Sequence, residues 1–573
     1  MDSISLAEQR NPFVQRLAEE EFDVLILGGG INGAVAAAAL SKQGISVALV
    51  DRDDFAGCAS SNSSNLVWGG IKYLESGELP LVRKLCMSRN HLRDHYPTLV
   101  KEIRFLATVN KGFRWPAWLI FLGALFYWAI GSFRTQPPRF IRRKDIQLRE
   151  PVIAPFDIVG GVEYSDCYLA EGDSRFVFSF IRAAVNNGAT VANYVQALNS
   201  VRDTRSNLWL TELLDGVSGR RVKLKSKAII NACGAYVDEY NRRIGQQTPF
   251  RHVFSKGVHL IVPQLLNNKR ILAFFASDGR LFFVIPLGNY TCIGTTDTPV
   301  ENPAVATDSD DREFILENAN RLLHLKQPLT CDDIIAERCG VRPLVVKGSK
   351  NTTGDWLKLS RKHRIYKNPE MAFISIYGGK ITDCINVGNE LIECCEQLKL
   401  VTSSHRQKWY GEPDDSVKQR FLQQAAAFTA NGQQKSDALV NRGKEDESVA
   451  ERWWRRFGEQ AFEVLEYAKQ HPNAVEPIIP GLDYSVAEIA LIGRNELIVN
   501  LDDFLRRRTN IAQTIRAEVL LSDSKIEKIA ALLFGEADAA QQVQQYRQLL
   551  LAESSPSNIH AFMPHNSDLA AGY

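Results

Sequence analysis

The chain has 573 residues, more than one hydrophobic core normally organises, so we expect two or three domains. Its hydrophobic fraction of 45% and charged fraction of 23% are those of a globular protein rather than a disordered or fibrous one. A formal net charge of +2 gives no case for nucleic acid as a partner, and ten scattered cysteines without a CxxC pair predict reduced thiols, with neither a disulfide framework nor a metal site.

A strand-turn-helix-strand pattern follows a short leader. Residues 1–21 carry charged side chains and no uninterrupted apolar core, so they do not form a secretory signal. Residues 22–27 predict a strand, the alanine-rich residues 34–40 predict a helix, and residues 45–50 predict a second strand. This order is a βαβ unit whose glycines fall at the first strand-to-helix turn.

The turn contains the pattern GxGxxG, formed by Gly28, Gly30 and Gly33. The first glycine permits a tight turn, the second lets backbone N–H groups approach a pyrophosphate, and the third lets the helix pack on the strand. Asp51 ends the second strand, at the distance expected for an acid that accepts hydrogen bonds from a ribose. The unit therefore predicts a bound dinucleotide. Three more of its residues are predicted to touch the ligand: Ile31, Asn32 and Arg52.

A second polar loop favours FAD over NAD. Residues 58–65 are small and polar, and they lead to Trp68, to the pair Gly69 and Gly70, and to Tyr73. A nicotinamide enzyme has no need for this loop, whereas a flavin enzyme must wrap a larger ring and its ribityl chain with close backbone contacts. We therefore predict FAD. The predicted cofactor contacts in this loop are Ser60, Ser61, Gly69 and Gly70.

Later strand candidates predict a second sheet. Apolar runs of strand length follow at 228–231, 260–262, 281–285 and 373–376. Gly288 and Asn289 separate two β-rich runs and predict a hairpin. We expect a mixed substrate-binding sheet beside the nucleotide domain, with both inside residues 22–400 and the substrate parts at about 100–160 and 250–340.

The region 401–552 predicts a helical domain. Apolar residues recur at helical spacing between 457 and 468, and Ser485 with Glu488 forms a capping-box signature. Residues 431–448 predict a linker, and the tail 553–573 predicts a flexible end. The predicted fold class is α/β, with a Rossmann-type FAD-binding domain, a mixed-sheet substrate domain and a C-terminal all-helical domain.

Residues 115–133 contain no charged residue and are long enough to suggest a transmembrane span. A single span would place the predicted FAD segments near Gly28 and Gly379 on opposite sides of a bilayer, although one FAD must touch both, so we reject it. The remaining interpretations are a buried helix and a helix that dips into one leaflet. Because basic residues flank the segment on both sides, we expect a cytoplasmic protein bound peripherally, as a monotopic protein, to an anionic lipid surface.

The motifs resemble those of a known family. LILGGGINGAVAAAAL and SVALVDRDDFAGCASSNSSNLVWGGIKYLE are similar to the N-terminal signature of the FAD-dependent respiratory (aerobic) glycerol-3-phosphate dehydrogenases. Later segments agree in order: EYSDCYLAEGDSR, IINACGAYVD, SKGVHLIVP, GRLFFVIPLGNYTCIGTTDT, CGVRPLV, SRKHRIY and ISIYGGKITD. The resemblance runs from about residue 21 to about residue 525.

This resemblance implies a reaction. The family oxidises sn-glycerol 3-phosphate to dihydroxyacetone phosphate and passes the electrons to membrane quinone. A phosphate dianion needs cationic partners, and the motifs place Arg342 and Arg361 in that role. Lys380 and Thr382 match positions beside the flavin and the substrate, and His259 matches the position considered for the base. Outside such motifs, an arginine is most often a solvated surface charge and a single histidine is most often structural.

The resemblance thus assigns three sets of residues. The implied catalytic residues are His259, Arg342 and Lys380. The implied substrate contacts are Lys72, Tyr73, Arg342, Arg361 and Thr382. The implied cofactor contacts add Gly234, Gly379 and Lys380 to those of the two loops.

Two residues depart from the family pattern. Where the family has HGG followed by RY, this chain has Trp68 and Lys72 and keeps the glycines and Tyr73. Tryptophan cannot form the bond to flavin that such a histidine forms in some flavoproteins, so we predict noncovalent FAD. Lys72 keeps the charge but loses the forked geometry of arginine. A second interpretation is therefore an FAD-dependent oxidase or dehydrogenase of another small hydroxy or amino compound, and a third is a non-catalytic flavin or membrane-bound sensor. The oligomeric state stays open, a homodimer included.

Overall fold

The computed structural model describes residues 6–155, 157–348, 362–401, 406–430, 447–479 and 482–553. Two sheets, named A and B here, organise the first two thirds of the chain. The eight strands of sheet A are β1 (Glu21–Leu27), β2 (Val47–Val50), β7 (Thr190–Ala192), β8 (Val195–Asp203), β9 (Leu208–Asp215), β10 (Arg221–Asn231), β17 (Arg364–Asn368) and β18 (Phe373–Tyr377). The ten strands of sheet B are β3 (Leu66–Val67), β4 (Val100–Asn110), β5 (Arg139–Arg142), β6 (Ile158–Leu169), β11 (Phe250–Pro263), β12 (Ile271–Phe275), β13 (Leu281–Leu287), β14 (Tyr290–Gly294), β15 (Thr298–Val300) and β16 (Ala336–Lys347).

Helices cover sheet A and form the C-terminal part. They are α1 (Leu6–Glu19), α2 (Ile31–Lys42), α3 (Leu79–His95), α4 (Ala117–Ile130), α5 (Arg143–Arg149), α6 (Asp173–Asn186), α7 (Val237–Arg243), α8 (Ser309–Leu322), α9 (Cys384–Gln397), α10 (Asp415–Ala430), α11 (Val449–Phe457), α12 (Ala461–Gln470), α13 (Val486–Asn495), α14 (Ile511–Thr514), α15 (Ala517–Ser522), α16 (Lys525–Phe534) and α17 (Glu536–Glu553). A π-helical stretch spans Asp503–Arg508.

The centre of sheet A is parallel, in the order β18-β10-β1-β2-β7. Parallel neighbours need a crossover, and α2 supplies it between β1 and β2. Its alanine-rich, fully buried middle lets the helix lie close to the sheet. The carboxyl ends of the parallel strands therefore share one edge, where Leu27 pairs with Val50 on one side and with Asn231 on the other. This edge is the floor of the predicted nucleotide site, and the Rossmann-type prediction is confirmed.

Sheet B is mixed, as predicted, because β4 and β12 run parallel while its other neighbours are antiparallel. The predicted hairpin is also confirmed: Leu287 pairs with Tyr290 across Gly288 and Asn289. The strands of sheet B come from residues 66–169 and 250–347, and those of sheet A from 21–50, 190–231 and 364–377. We propose this alternation as the division between the substrate and FAD domains.

The predicted leader contains a helix that the sequence did not suggest. α1 packs Val14 and Leu17 into the core beside sheet A. Arg10 is buried and pairs with Asp215 at 2.6 Å. The other predicted end, the tail, lies outside the described residues from 554 onward.

The C-terminal helices enclose a separate hydrophobic core that includes Trp453 and Phe504. The predicted capping box at Ser485 and Glu488 is confirmed at the start of α13. The helix predicted across 457–468 is interrupted, since α11 ends at Phe457 and α12 begins at Ala461. The reason is Gly458, which has φ +57 and ends the first helix. Residues 431–446 of the predicted linker lie outside the described residues.

α4 occupies the apolar segment 115–133, and it is not a buried helix. Trp118 is 60% exposed, Phe126 50% and Leu122 48%, while Ala117, Ala124 and Tyr127 face inward. This excludes the buried-helix interpretation. Among the described residues, no helix combines the length and the apolar character needed to cross a membrane.

Candidate active site

Glycine occupies the sterically restricted positions of the turn between β1 and α2. Gly28 has φ +95, which an L side chain rarely adopts. A Cβ on Gly33 would lie 1.8 Å from the carbonyl oxygen of Gly28, so the helix can only reach the strand with glycine there. Gly30 precedes the first helical residue, and Ser60 Oγ accepts the backbone N–H of Ile31 at 3.1 Å. The predicted roles of these glycines fit the geometry, and the N-terminus of α2 points at the turn.

Asp51 closes β2 beside this turn. Its Oδ2 accepts the backbone N–H of Gly29 at 2.6 Å, and its Oδ1 accepts that of Asp53 at 2.9 Å. Burial, together with the neighbouring Asp53 carboxylate, raises the pKa of Asp51 to about 7. Hydroxyl donors from a ribose would favour the charged form. Next to it the Arg52 guanidinium lies 4.0 Å from the centroid of the Tyr236 ring.

A cavity of about 360 Å³ opens over these residues. The predicted contacts that line it are Gly28, Gly30, Asp51, Arg52, Ser60 and Gly234. Its far wall is strand β16, through Gly340, Val341 and Pro343. The cavity therefore lies between sheet A and sheet B, the predicted substrate-binding sheet.

A polar cluster lies where the flavin ring is predicted. Lys380 Nζ donates to Tyr73 Oη at 2.8 Å and lies 4.4 Å from the centre of the same ring. Thr382 Oγ1 donates to the carbonyl oxygen of Trp68 at 3.5 Å, and the Trp68 and Tyr73 rings are 5.8 Å apart. The structure thus brings together Tyr73, Lys380 and Thr382, three of the predicted residues.

The Gly69 and Gly70 pair packs too closely for side chains. A Cβ on Gly69 would lie 2.1 Å from Tyr127 Oη, and one on Gly70, where φ is +81, would lie 2.6 Å from the Tyr73 ring. The backbone N–H of Gly69 donates to Asp166 Oδ1 at 3.2 Å. The fully buried Asp166 also pairs with Arg89 at 2.6 Å and accepts from Tyr127 Oη at 2.9 Å. Residues 58–70, named the flavin loop here for their predicted role, are therefore tied to α4 through one carboxylate.

The loop before Lys380 connects the cluster to the pyrophosphate turn. Gly378 and Gly379 have φ +64 and +122. Asn32 Nδ2 donates to the carbonyl oxygen of Gly378 at 2.8 Å, and a Cβ on Gly379 would lie 2.9 Å from Asn32 Oδ1. Asn32 was predicted as a cofactor contact, and its side chain is used here to join two loops.

Arg342 extends from β16 across β11. A Cβ on Gly257 would lie 2.2 Å from the guanidinium, so glycine is required beneath it. Its Nη2 donates to Thr295 Oγ1 at 3.0 Å, and its Nη1 lies 3.4 Å from Asp297 Oδ1. These contacts fix the direction of the guanidinium, and its side chain is 29% exposed.

His259 lies on β11, paired in register with Arg338 on one side and Gly294 on the other. It is buried, and neither ring nitrogen has a hydrogen-bond partner among the described residues. Burial, followed by the positive charges of Arg342 and Arg338, lowers its pKa to about 3. The imidazole is therefore neutral at physiological pH.

Three predicted residues are not brought into this group. Lys72 is exposed and lines a different cavity, beside Trp115 and Leu119. Ser61 does not line the cavity over the turn, and its hydroxyl donates to the carbonyl oxygen of Cys58 at 3.4 Å. Arg361 lies outside the described residues.

Comparison with known proteins decides the family. The family profile described as "FAD dependent oxidoreductase" matches residues 23–357, more than half of the chain. A second profile, "C-terminal domain of alpha-glycerophosphate oxidase", matches residues 418–540. The chain belongs to the FAD-dependent oxidoreductases.

Relatives within this family are similar along almost the whole chain. Glycerol-3-phosphate dehydrogenase 2 of Mycobacterium tuberculosis is 28% identical over 575 residues, which cover 97% of this chain and 93% of that protein. The aerobic glycerol-3-phosphate dehydrogenase of Staphylococcus haemolyticus is 26% identical and covers 91% and 93%. The structure of the glycerol-3-phosphate dehydrogenase from Bacillus halodurans, complexed with FAD, has a TM-score of 0.70 at 23% identity and covers 96% and 97%, so it shares the fold.

Membership of this family makes FAD the cofactor, and the residues present fit it. At one end, glycine occupies positions 28, 29, 30 and 33 of the turn, and the Ser60 hydroxyl accepts the backbone N–H of Ile31 there. The Gly69 and Gly70 backbone and Lys380 lie at the other end, within one continuous set of contacts through Asn32.

Proposed function

We propose that this FAD-dependent oxidoreductase oxidises sn-glycerol 3-phosphate to dihydroxyacetone phosphate and passes the electrons to a membrane quinone. The observation that carries the substrate is Arg342, a guanidinium held in a fixed direction on the strand that also lines the nucleotide cavity. Such a planar fork suits a phosphate dianion. The relatives named as glycerol-3-phosphate dehydrogenases support the same substrate.

Each residue of the site has a proposed task. FAD, when bound, supplies the acceptor for the hydride. Arg342 binds the phosphate, and Lys380 places a positive charge beside the flavin ring, where it stabilises the reduced form. Tyr73 holds the Lys380 ammonium through the 2.8 Å hydrogen bond. Thr382 aligns the same loop through Trp68.

His259 is proposed to accept the hydroxyl proton. In the free protein its pKa of about 3 makes it a weak base. Burial is the largest cause of that lowering, and the positive charges of Arg342 and Arg338 add to it. A phosphate dianion bound to Arg342 would offset this positive charge, so substrate binding raises the pKa of His259 and makes it a better proton acceptor.

FAD is proposed to be noncovalent. Trp68 lies in the flavin loop with its ring 5.8 Å from that of Tyr73, at the position where the family pattern has histidine. An indole offers no nucleophilic nitrogen for a bond to the flavin. The flavin should therefore leave the protein upon acid precipitation.

The quinone and the lipid surface are proposed from α4. Its exposed Trp118, Leu122 and Phe126 form an apolar face. Exposed Arg142 and Arg143 lie toward the N-terminal end of the helix, since Arg142 pairs with Gly160, where a Cβ would lie 3.7 Å from Ala117. A cavity of about 390 Å³ lies beneath this helix and reaches residues 71, 72, 74 and 75, directly after the flavin loop. A monotopic protein docked through this face would place a lipid-soluble acceptor next to the flavin.

An anaerobic reduction experiment tests the proposal. Purified protein should be yellow, and glycerol 3-phosphate should bleach it while glycerol, which lacks the phosphate, does not. Subsequent addition of a short-chain quinone should restore the colour faster than oxygen does. Bleaching by lactate or amino acids alone would favour the second candidate, an enzyme of another hydroxy or amino compound, which the displacement of Lys72 from the site also favours. No bleaching by any compound would favour a non-catalytic flavoprotein.

A further inference from the structure

One buried histidine outside the predicted site is bonded to the loop that carries Lys380. His252 lies in β11 with its side chain fully buried against Tyr377, at 5.0 Å between ring centroids. Its Nε2 accepts the backbone N–H of Gly378 at 3.1 Å. Gly378 has φ +64 at the end of β18, and this bond reaches the loop from the other sheet.

The opposite side of the ring faces α7. The backbone N–H of His252 donates to Asp238 Oδ2 at 2.8 Å, and Nδ1 lies 3.6 Å from the same oxygen. Because the Gly378 N–H can only donate, Nε2 must be the acceptor, and the neutral ring carries its proton on Nδ1. The contact with Gly378 therefore requires one protonation state and one tautomer.

The loop that His252 holds is shared by both ends of the flavin site. The carbonyl of Gly378 accepts from Asn32 at the pyrophosphate turn, and two residues later Lys380 Nζ bonds Tyr73. Both φ values in the Gly-Gly pair lie in the left-handed region, where the backbone gains no support from regular structure. Two side chains hold this backbone in place. His252 accepts the N–H of Gly378, and Asn32 donates to its carbonyl oxygen.

We propose that His252 is a positioning residue for the flavin: by accepting the Gly378 N–H, it sets the place of Lys380 beside the ring. The inference rests on the proposed placement of Lys380 next to the flavin, and it names a residue in a different sheet that controls it. A histidine with a purely structural role would affect the stability of the fold but neither the affinity for FAD nor the reduction potential.

The electrostatics agree with this role. Burial lowers the pKa of His252 to about 4, although Asp238 acts in the opposite direction. The titratable groups that face the ring are Asp238 from α7 and Tyr377 from β18, and its cross-strand neighbour on β16 is the uncharged Val345. The acceptor is thus available at neutral pH and is lost in acid.

Three variants of the FAD-loaded protein test the proposal. His252→Leu removes the acceptor, His252→Gln replaces it with an amide oxygen, and Tyr377→Phe perturbs the packing but leaves the bond to Gly378. We expect His252→Leu to raise the Kd for FAD at least tenfold. Each tenfold loss in the preference for the reduced flavin lowers the midpoint potential by about 30 mV. His252→Gln and Tyr377→Phe should stay within about twofold of the wild type in Kd, whatever their melting temperatures.

A His252→Leu protein with unchanged FAD affinity and potential would overturn the proposal, even if it melts earlier. If that variant does not fold, the flavin absorption spectrum is followed as the pH is lowered toward 4. The wild type should change and His252→Gln should not, and identical responses would overturn the proposal. None of these measurements uses glycerol 3-phosphate, so a wrong substrate assignment would not be confused with a wrong role for His252.

Discussion

Arg342 shows how the site depends on single side chains with fixed directions. Its guanidinium lies over Gly257 and is oriented by Thr295 and Asp297, so little rotational freedom remains to be lost when a phosphate binds. Lys72, by contrast, extends toward the cavity under α4. Two cations that the sequence placed in the same role therefore have different surroundings.

Arg342→Ala should lower kcat/KM for glycerol 3-phosphate, because a charge-assisted contact is lost. The loss of transition-state stabilisation should be about 2 kcal/mol or more. Arg342→Lys should recover only part of this loss, since an ammonium cannot bind two oxygens at once. Steady-state kinetics with a soluble quinone measure both. Lys72→Ala is the matched control, because it removes a cation outside the site. A decrease in kcat/KM as large as that of Arg342→Ala would show that Lys72 reaches the substrate.

The pKa of His259, lowered to about 3, makes the stability of the protein depend on pH. In the unfolded chain the imidazole titrates near its usual pKa of about 6.5. Between these two values the unfolded state binds one more proton, so the free energy of unfolding falls as the pH falls through this window. The loss approaches about 1.4 kcal/mol per pH unit. The free energies of unfolding of the wild type and of His259→Asn, measured with urea, should converge as the pH is lowered from 7 to 4. Parallel curves would contradict the lowered pKa.

At the scale of elements, α4 presents one face to solvent and one to the flavin loop. The inward residue Tyr127 bonds Asp166, which bonds the backbone N–H of Gly69. The outward residue Phe126 is its direct neighbour and is 50% exposed. The two faces can therefore be separated by adjacent substitutions.

Tyr127→Phe should lower the free energy of unfolding by about 1 to 3 kcal/mol, because the buried Asp166 loses a hydrogen bond. It should also weaken FAD binding, and leave binding to anionic liposomes unchanged. Phe126→Ser should weaken binding to anionic liposomes and leave FAD binding unchanged. Vesicle sedimentation measures the binding to liposomes, and FAD titration measures the affinity for the cofactor. Undiminished vesicle binding of Phe126→Ser, also in combination with Trp118→Ser, would count against α4 as the docking face.

Much of this site could be read from local patterns, and the rest could not. Gly28, Gly30 and Gly33 were predicted because strand, turn and helix are contiguous in sequence and each glycine has a local steric reason. The direction of the Lys72 side chain could not be predicted. Lys72 lies in the short helical turn Ile71–Leu74, where neighbouring residues face different sides of the turn. Asp166 and His252 were missed, because their partners Gly69 and Gly378 are 97 and 126 residues away and no local signal marks them.

The same limit applies to the helices. The capping box at Ser485 was visible because both partners are three residues apart. The break at Gly458 was not, because the apolar spacing continues through it from Phe457 into α12. The buried Arg10 in α1 had no recognisable signal either, since its partner Asp215 lies 205 residues away.

At the scale of the whole molecule, a buried ion network links the C-terminal helices to residues 51–54 after β2, named the nucleotide loop here for its predicted role. Asp54, three residues after Asp51, accepts from Nη1 and Nη2 of Arg508 at 2.7 and 2.8 Å and from Nε of Arg507 at 2.7 Å. Asn193 donates to the same carboxylate at 2.9 Å. Both arginines come from the π-helical stretch, so the C-terminal part touches the loop that follows the predicted ribose acid.

Asp54→Asn should therefore destabilise the protein by about 3 to 5 kcal/mol, because two buried guanidinium groups lose their shared carboxylate. The arginines lower the pKa of Asp54, so its contribution to stability is present at neutral pH and is lost as the pH falls through its lowered folded value. If the substitution destabilises the nucleotide loop, added FAD should raise the melting temperature of Asp54→Asn by mass action. Glu553→Gln is the matched control, since it removes a partner of the more exposed Arg506 and should cost at most about 1 kcal/mol. Equal melting temperatures for Asp54→Asn and Glu553→Gln would show that the two parts of the chain are held together elsewhere.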